Sequence, residues 1–136
     1  QINFYPLFLD STAEIKFDAL LNNHKEEFAS LMKTGLSEYV AGDILVKKYS
    51  NEIEPLRPPL SLLIKHIEYI INLVGVDYVG IGSDFDGIEF TPQQMDDVTS
   101  YPLITKALLQ KGYSKKNIYK IMGGNMLRVL KANEQK

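Results

Sequence analysis

An apolar run that stops in a glycine- and aspartate-rich turn constrains this chain more than any other feature. Residues 76–87 read Val-Asp-Tyr-Val-Gly-Ile-Gly-Ser-Asp-Phe-Asp-Gly. Strand-forming residues rise to Ile81 and then give way to types that tolerate a positive φ or a close backbone approach. Carboxylates at the carboxyl end of a buried strand are where α/β enzymes commonly keep their chemistry. Asp84 and Asp86 stand at that place. The competing reading is a strand followed by a solvated Asx-Gly turn, and the D-x-D-G spacing alone does not separate the two.

One domain is the expectation for 136 residues, enough to bury a core but too few for most large enzyme folds. A hydrophobic content of 45% and a charged content of 24% belong to a globular protein. Fifteen basic and seventeen acidic residues leave a net charge of −2, no footprint for nucleic acid or an anionic membrane surface. No apolar run approaches the roughly 20 residues that span a bilayer. The chain has no cysteine, which excludes disulfides, thiol nucleophiles and thiolate zinc sites. That composition favours a cytoplasmic location and leaves the compartment otherwise unread. Gln1-Ile2-Asn3-Phe4-Tyr5-Pro6 lacks an initiator Met and opens directly in strand-like residues, as a segment cut from a larger protein would. A purification scar or a processing site would look the same.

Residues 2–8 are short and aromatic and pass through Pro6, which predicts a buried strand running into a loop. Ser11-Thr12-Ala13-Glu14 has the form of a capping box. The helix expected after it carries Ile15, Ala19, Leu20, Phe28, Leu31 and Met32 and stops near Gly35. A weaker helical stretch covers residues 37–49, and the prolines at 55, 58 and 59 mark an extended connector. Ser61 is the expected cap of a helix with Leu63, Ile67, Ile70 and Val74 on one face, ended by Gly75. A strand at residues 78–81 follows. Beyond a polar loop at 88–99, Ser100 caps a helix that stops at Gly112, and Ser114 opens a last helix interrupted at Gly123-Gly124. Two strands separated by helices predict an α/β fold with parallel pairing. Two strands do not make a stable parallel sheet alone, so they are expected to be part of a larger one.

Asp84 and Asp86 do not fit a calcium loop, whose sixth and twelfth places, counted from Asp84, hold Glu89 and Met95 instead of glycine and glutamate. A strand followed by D-x-D-G also suits an aspartate-nucleophile phosphatase, with Asp84 as nucleophile and Asp86 as acid/base. That chemistry needs further motifs on later strands, and the 49 residues after Gly87 look helical. A third reading is a strand-end aspartate that acts on a metal-bound water, the metal being held by residues outside the chain. Neither histidine has a metal-ligand context: His24 lies in a polar helical stretch as a solvated residue, and His66 sits beside Ile67 as a packing residue. Tyr5 and Asn3 end the first predicted strand, where they either face the same site as Asp84 or pack. Gly123-Gly124 lacks the strand–turn–helix setting of a phosphate loop and reads as a helix break.

Several segments together resemble the carboxyl-terminal part of the renal or membrane dipeptidase family, the M19 zinc dipeptidases. They are Asn3-Phe4-Tyr5-Pro6, His66-Ile67-Glu68-Tyr69-Ile70, the whole 76–87 stretch, Asp97-Val98-Thr99-Ser100-Tyr101-Pro102 and Gly123-Gly124-Asn125-Met126-Leu127-Arg128-Val129. Their order and spacing match over essentially the whole chain, least distinctively at 10–59. The resemblance implies a (β/α)8 TIM-like barrel with two zinc ions, of which residues 2–5 and 78–81 would be strands seven and eight. Such barrels typically need about 250 residues. It also implies a catalytic role for Asp84, as a proton shuttle facing the zinc-bridging water, and a substrate-binding role for Tyr5 near the dipeptide's carboxyl end. Asp86 and Gly87 shape the turn. The family's H-x-D motif, bridging glutamate, two later zinc-binding histidines and substrate-carboxylate arginine would all precede residue 1, so no metal ligand is named in this chain.

The expectation is therefore a single partial domain over 1–136, the C-terminal segment of a metallodipeptidase barrel that hydrolyses dipeptides with zinc. By itself the chain is expected to be inactive, and to cover its open sheet edge by forming a homo-oligomer or by folding back its own helices. The rival from another class is a non-catalytic interaction or assembly module.

Overall fold

The computed structural model describes residues 1–134. Helices carry the fold: α1 Pro6–Leu9, α2 Ala13–Asn23, α3 Lys25–Lys33, α4 Glu38–Lys48, α5 Ser50–Ile53, α6 Leu60–Val74, α7 Tyr101–Gln110, α8 Lys115–Tyr119 and α9 Asn125–Asn133. Three-residue 3₁₀ turns at Glu54–Leu56, Val76–Tyr78 and Val98–Ser100 link them, and a π turn, Lys120–Gly124, joins α8 to α9.

The α/β expectation, with strands at 2–5 and 78–81 as the seventh and eighth of a barrel, is overturned: among the described residues there is no β-strand. What remains is one isolated parallel bridge, Ile2 to Ile81. The Ile2 amide donates to the Gly80 carbonyl at 2.7 Å, Gly82 to Ile2 at 3.0 Å and Phe4 to Ser83 at 3.2 Å. The pairing stops for local reasons. Pro6, whose ring fixes φ and removes a donor, opens α1 directly after Tyr5. Gly75, at φ 85°, turns the chain into a 3₁₀ turn that takes up Tyr78, and Asn125 claims the Val79 carbonyl. Two short extended segments with no further neighbour do not build a ladder.

The paired segments are nevertheless the centre of the larger core. Ile2, Phe4 and Val79 pack with Leu63, Ile64 and Ile67 of α6, Ile104 and Leu108 of α7, and Ile118 and Ile121 beyond them. A smaller cluster joins Phe17 and Leu20 of α2 to Val46, Ile53 and Phe90. The α2 face differs from the expected one. Leu20 is buried as expected and Phe17 joins it, but Ile15 is 72% exposed, and the chain breaks at His24 into two helices, of which α3 has no buried residue. The expected extended connector is likewise a helical turn, α5 and a 3₁₀ turn, with Pro55 in the first-turn position that proline tolerates.

Helix stops at Gly35, Gly75 and Gly112 stand as the sequence places them, each at a positive φ. Ser37 and Ser114 cap α4 and α8 by accepting from Val40 and Asn117. The capping box at Ser11 does not form. Asp10 does that work: its Oδ1 accepts from the Thr12 amide at 2.9 Å and from the Thr12 hydroxyl at 2.7 Å, and its Oδ2 pairs with Lys16 at 3.0 Å. The bonds from Thr12, and then Lys16, hold the Asp10 carboxyl down at about 2. A carboxyl whose folded value is depressed stabilises above its unfolded value, and that contribution fades as pH falls through the folded one. Asp10→Ala is expected to cost about 1 kcal/mol at neutral pH. In thermal melts the gap between variant and parent should close as pH drops from 3.8 to about 2; a gap independent of pH sinks this assignment.

Candidate active site

The turn after Gly82 presents Asp84 in a left-handed conformation, φ 68°, with its side chain exposed. Aspartate tolerates this region better than most non-glycine residues, and residues held there cluster at functional sites. The Gly87 amide closes the turn by donating to the Asp84 carbonyl at 3.0 Å. A Cβ built on Gly87 would lie 2.3 Å from Asp84 Oδ1, so a side chain there displaces that carboxylate. The other carboxylate oxygen, Oδ2, accepts from Asn3 Nδ2 at 2.9 Å. Asn3 also accepts the Tyr5 amide on its Oδ1 at 2.7 Å. One asparagine thus ties the Asn3-Phe4-Tyr5 segment to Asp84 and fixes the carboxylate's orientation.

Four of the distinctive segments, 3–6, 76–87, 97–102 and 123–129, meet around this corner. Phe85 packs edge-on against Phe4, ring centroids 5.7 Å apart, and Tyr101 completes the group at 6.2 Å from Phe4 and 6.1 Å from Phe85. Buried Ser83 shares a 2.9 Å hydrogen bond with the Tyr101 hydroxyl. Asp97 sets the start of that helix by accepting the Thr99 amide at 2.7 Å. From the other end of the chain, buried Asn125 donates to the carbonyls of Val76 and Val79, both at 2.8 Å, and Arg128 donates to the Asp77 carbonyl at 2.7 Å. Gly123, at φ 152°, breaks the α-helical bonding so that α9 starts in place for this.

Tyr5 lines a cleft of about 520 Å³ together with Glu14, Glu38, Tyr39 and Glu89. Burial first, then the charges of Glu89 and Glu14, push its phenol above 10. Tyr5 is therefore a neutral hydrogen-bond donor at ordinary pH. Asp84 does not line this cleft, nor the neighbouring one that takes in Phe85 and Asp86, whose carbonyl accepts from the Tyr39 hydroxyl at 3.2 Å. A raised tyrosine value stabilises the fold below pH 10, and the contribution is lost as pH rises through the folded value. Alkaline titration followed by tyrosinate absorbance should show a late step that disappears in Tyr5→Phe; Tyr113, raised by burial and Glu68, supplies another late step and remains. An unchanged difference titration would contradict the placement of Tyr5.

Glu89 and Arg57 escaped the sequence reading because only tertiary contacts reveal them. Arg57, 14% exposed, ties the 88–97 loop to the rest through the carbonyls of Thr91 and Pro92, both at 2.8 Å, and through Asp96. An arginine beside a proline-rich connector is the only signal the sequence carried. His24 is not a solvated residue: its ring stacks on Tyr49 at 3.6 Å and meets Glu52 at 3.2 Å. His66 is half-buried beside fully buried Ile67.

Among the described residues no group of three or more His, Cys, Asp or Glu side chains is placed to hold a metal ion. The residues present do not fit a zinc site. No helix among them is long and apolar enough to cross a membrane.

The sequence profile of the membrane dipeptidase family (Peptidase family M19) matches residues 1–136. Dipeptidase tcpJ of Claviceps purpurea is 40% identical over 81 residues, 60% of this chain and 19% of its own length. Dipeptidase ataJ of Aspergillus terreus is 46% identical over 74 residues, 54% of this chain and 18% of its own. Dipeptidase 3 of Rattus norvegicus is 29% identical over 130 residues, 95% of this chain and 25% of its own. The chain spans about a quarter or less of the length of these relatives. With a profile match from end to end, it belongs to the membrane dipeptidase family, Peptidase family M19.

Proposed function

We propose that residues 1–136 are one part of a zinc-dependent dipeptidase, a single partial domain that supplies Asp84 as its proton-transfer group and Tyr5 to the substrate pocket. The observation that carries this is the Asn3–Asp84 hydrogen bond. It joins two of the segments that resemble the family and leaves an oriented, exposed carboxylate free to exchange a proton with solvent or substrate. Tyr5 suits a polar substrate end because it keeps its proton and donates. It is poorly placed to hold a substrate carboxylate unaided, since Glu14 and Glu89 beside it repel negative charge. A cation from outside these residues completes that subsite on this reading.

The family's zinc would be held by residues outside 1–136, so we derive no step through the metal. By itself the 136-residue chain should not turn over a dipeptide with or without added zinc, while the longer enzyme that contains it should. Zinc-dependent turnover by the chain alone would remove this assignment of the ligands. An Asp84→Asn enzyme with undiminished activity would remove Asp84 from the chemistry.

A further inference from the structure

A second cleft, of about 710 Å³, is lined by residues to which the dipeptidase reading gives no catalytic or substrate-binding role. Asp77, Tyr78, Lys116, Tyr119, Lys120 and Arg128 form its polar and aromatic walls, and neither Tyr5 nor Asp84 reaches it. The chain as a whole carries a net charge of −2. Here three cations meet one carboxylate, which leaves a local charge of +2.

Two of those cations are pre-positioned. Lys120 pairs with the Asp77 carboxylate, and Arg128 Nη2 donates to the Asp77 main-chain oxygen at 2.7 Å. A guanidinium has five donors in a fixed fork, so one bond to a carbonyl leaves others for a ligand. Lys116 takes part in none of the ion pairs among the described residues and adds its charge to the same space. Lys120, Arg128 and Lys116 all line this one cleft, and Lys120, then Arg128 and Lys116, hold the Asp77 carboxyl below its usual range.

The walls are aromatic and open. Tyr78 is 75% exposed and Tyr119 65% exposed. The Tyr119 ring lies over Gly124, where an added Cβ would stand 2.6 Å from it. Lys120 and Gly124 reach the cleft from either side of the kink that Gly123, at φ 152°, puts between α8 and α9. Fixed cations supply what a phosphate oxyanion needs, and exposed rings supply a face on which a base can stack.

We propose that this cleft binds a phosphomonoester carried on an aromatic ring system, the chemistry of a nucleoside monophosphate. Arg128, Lys120 and Lys116 take the phosphate, and Tyr119 and Tyr78 take the ring. This is separate from the site proposed for the dipeptidase, because it uses neither Asp84 nor Tyr5.

Calorimetric titration of the chain with adenosine monophosphate, inorganic phosphate and adenosine tests it. The monophosphate should bind about tenfold more tightly than inorganic phosphate, the difference being stacking, and its affinity should fall as salt rises. Lys116→Gln is the clean variant, since Lys116 has no ion pair among the described residues, and should weaken the monophosphate about fivefold with the thermal melt unchanged. Tyr119→Leu should weaken the monophosphate and leave inorganic phosphate as it was. Equal affinity for the monophosphate and inorganic phosphate, no saturation by either, or indifference to Lys116→Gln overturns the proposal.

Discussion

Asn125→Asp is expected to destabilise this chain by about 2–4 kcal/mol. The side chain is 6% exposed and spends both amide protons on main-chain carbonyls, Val76 and Val79, at 2.8 Å each. A carboxylate is isosteric but offers only acceptors, so two hydrogen bonds become two repulsive contacts. Each lost bond is worth about 0.5–1.5 kcal/mol, and leaving a buried carbonyl unpaired adds about 1–3 kcal/mol. Against a typical stability of about 5–15 kcal/mol this is a large share. Urea denaturation should show the midpoint moved and the slope kept, the mark of a stability change without a change in compactness. The new carboxyl is buried without a donor, so its folded value rises and the folded state binds the proton more tightly. The deficit should therefore shrink as pH falls. Arg128→Lys, which touches one more exposed carbonyl, should lose less than about 1 kcal/mol. If Asn125→Asp melts with the parent, Asn125 is not what braces the 76–79 segment.

Asn125 also shows where sequence reading runs out. Gly123-Gly124 was legible as a helix break because glycine pairs interrupt helices, and the φ of 152° at Gly123 agrees. The purpose of the break was not legible: it aims an amide at carbonyls 46 and 49 residues away. The same divide runs through the rest. Gly35, Gly75 and Gly112 mark helix ends by a local conformational rule, and that expectation holds; of the serines expected to cap, Ser114 does, while Ser61 lies inside α6, which starts after Pro59, and Ser100 makes no side-chain cap bond. Ser11 lost its cap to Asp10 because an Asx turn reaching the Thr12 amide also recruits Lys16, one turn into the helix. The strands failed for a different reason. Val79 and Ile81 have strand chemistry, but a ladder is a property of neighbours, and the segment has one bridge to Ile2 and a side chain on its Val79 carbonyl. Asp84 stands out as a candidate because a short motif carries it. Glu89, Tyr39 and Arg57 were not, since each gains its meaning from a residue more than thirty positions away.

If Asp84 serves a dipeptidase as proposed, Asp84→Asn in that whole enzyme is expected to lower kcat by about 10²–10⁴, the range for a positioned proton-transfer group. That corresponds to about 2.7–5.4 kcal/mol of lost transition-state stabilisation. The amide keeps the shape and can still meet Asn3, so folding should be near parent level. Asn125→Asp should show the reverse pattern, with stability lost first. Two neighbours separate catalysis from packing. Gly87→Ala brings a Cβ within 2.3 Å of Asp84 Oδ1. The carboxylate is the end of a flexible side chain and swings aside at little cost, so stability should hold while kcat falls. Asn3→Asp sets a second carboxylate where Nδ2 now lies 2.9 Å from Asp84 Oδ2. Like charges at that distance cannot both ionise easily, so the acidic limb of the rate profile should move to higher pH. Asn3→Ala removes the bond without the charge and should lower kcat with that limb in place. A purely structural Asp84 predicts something else: parallel losses of stability and activity in every variant, and no movement of the pH profile in Asn3→Asp. Measuring melts and pH–rate profiles on the same preparations decides between the two, because only a carboxylate that exchanges the proton ties the limb to the charge beside it.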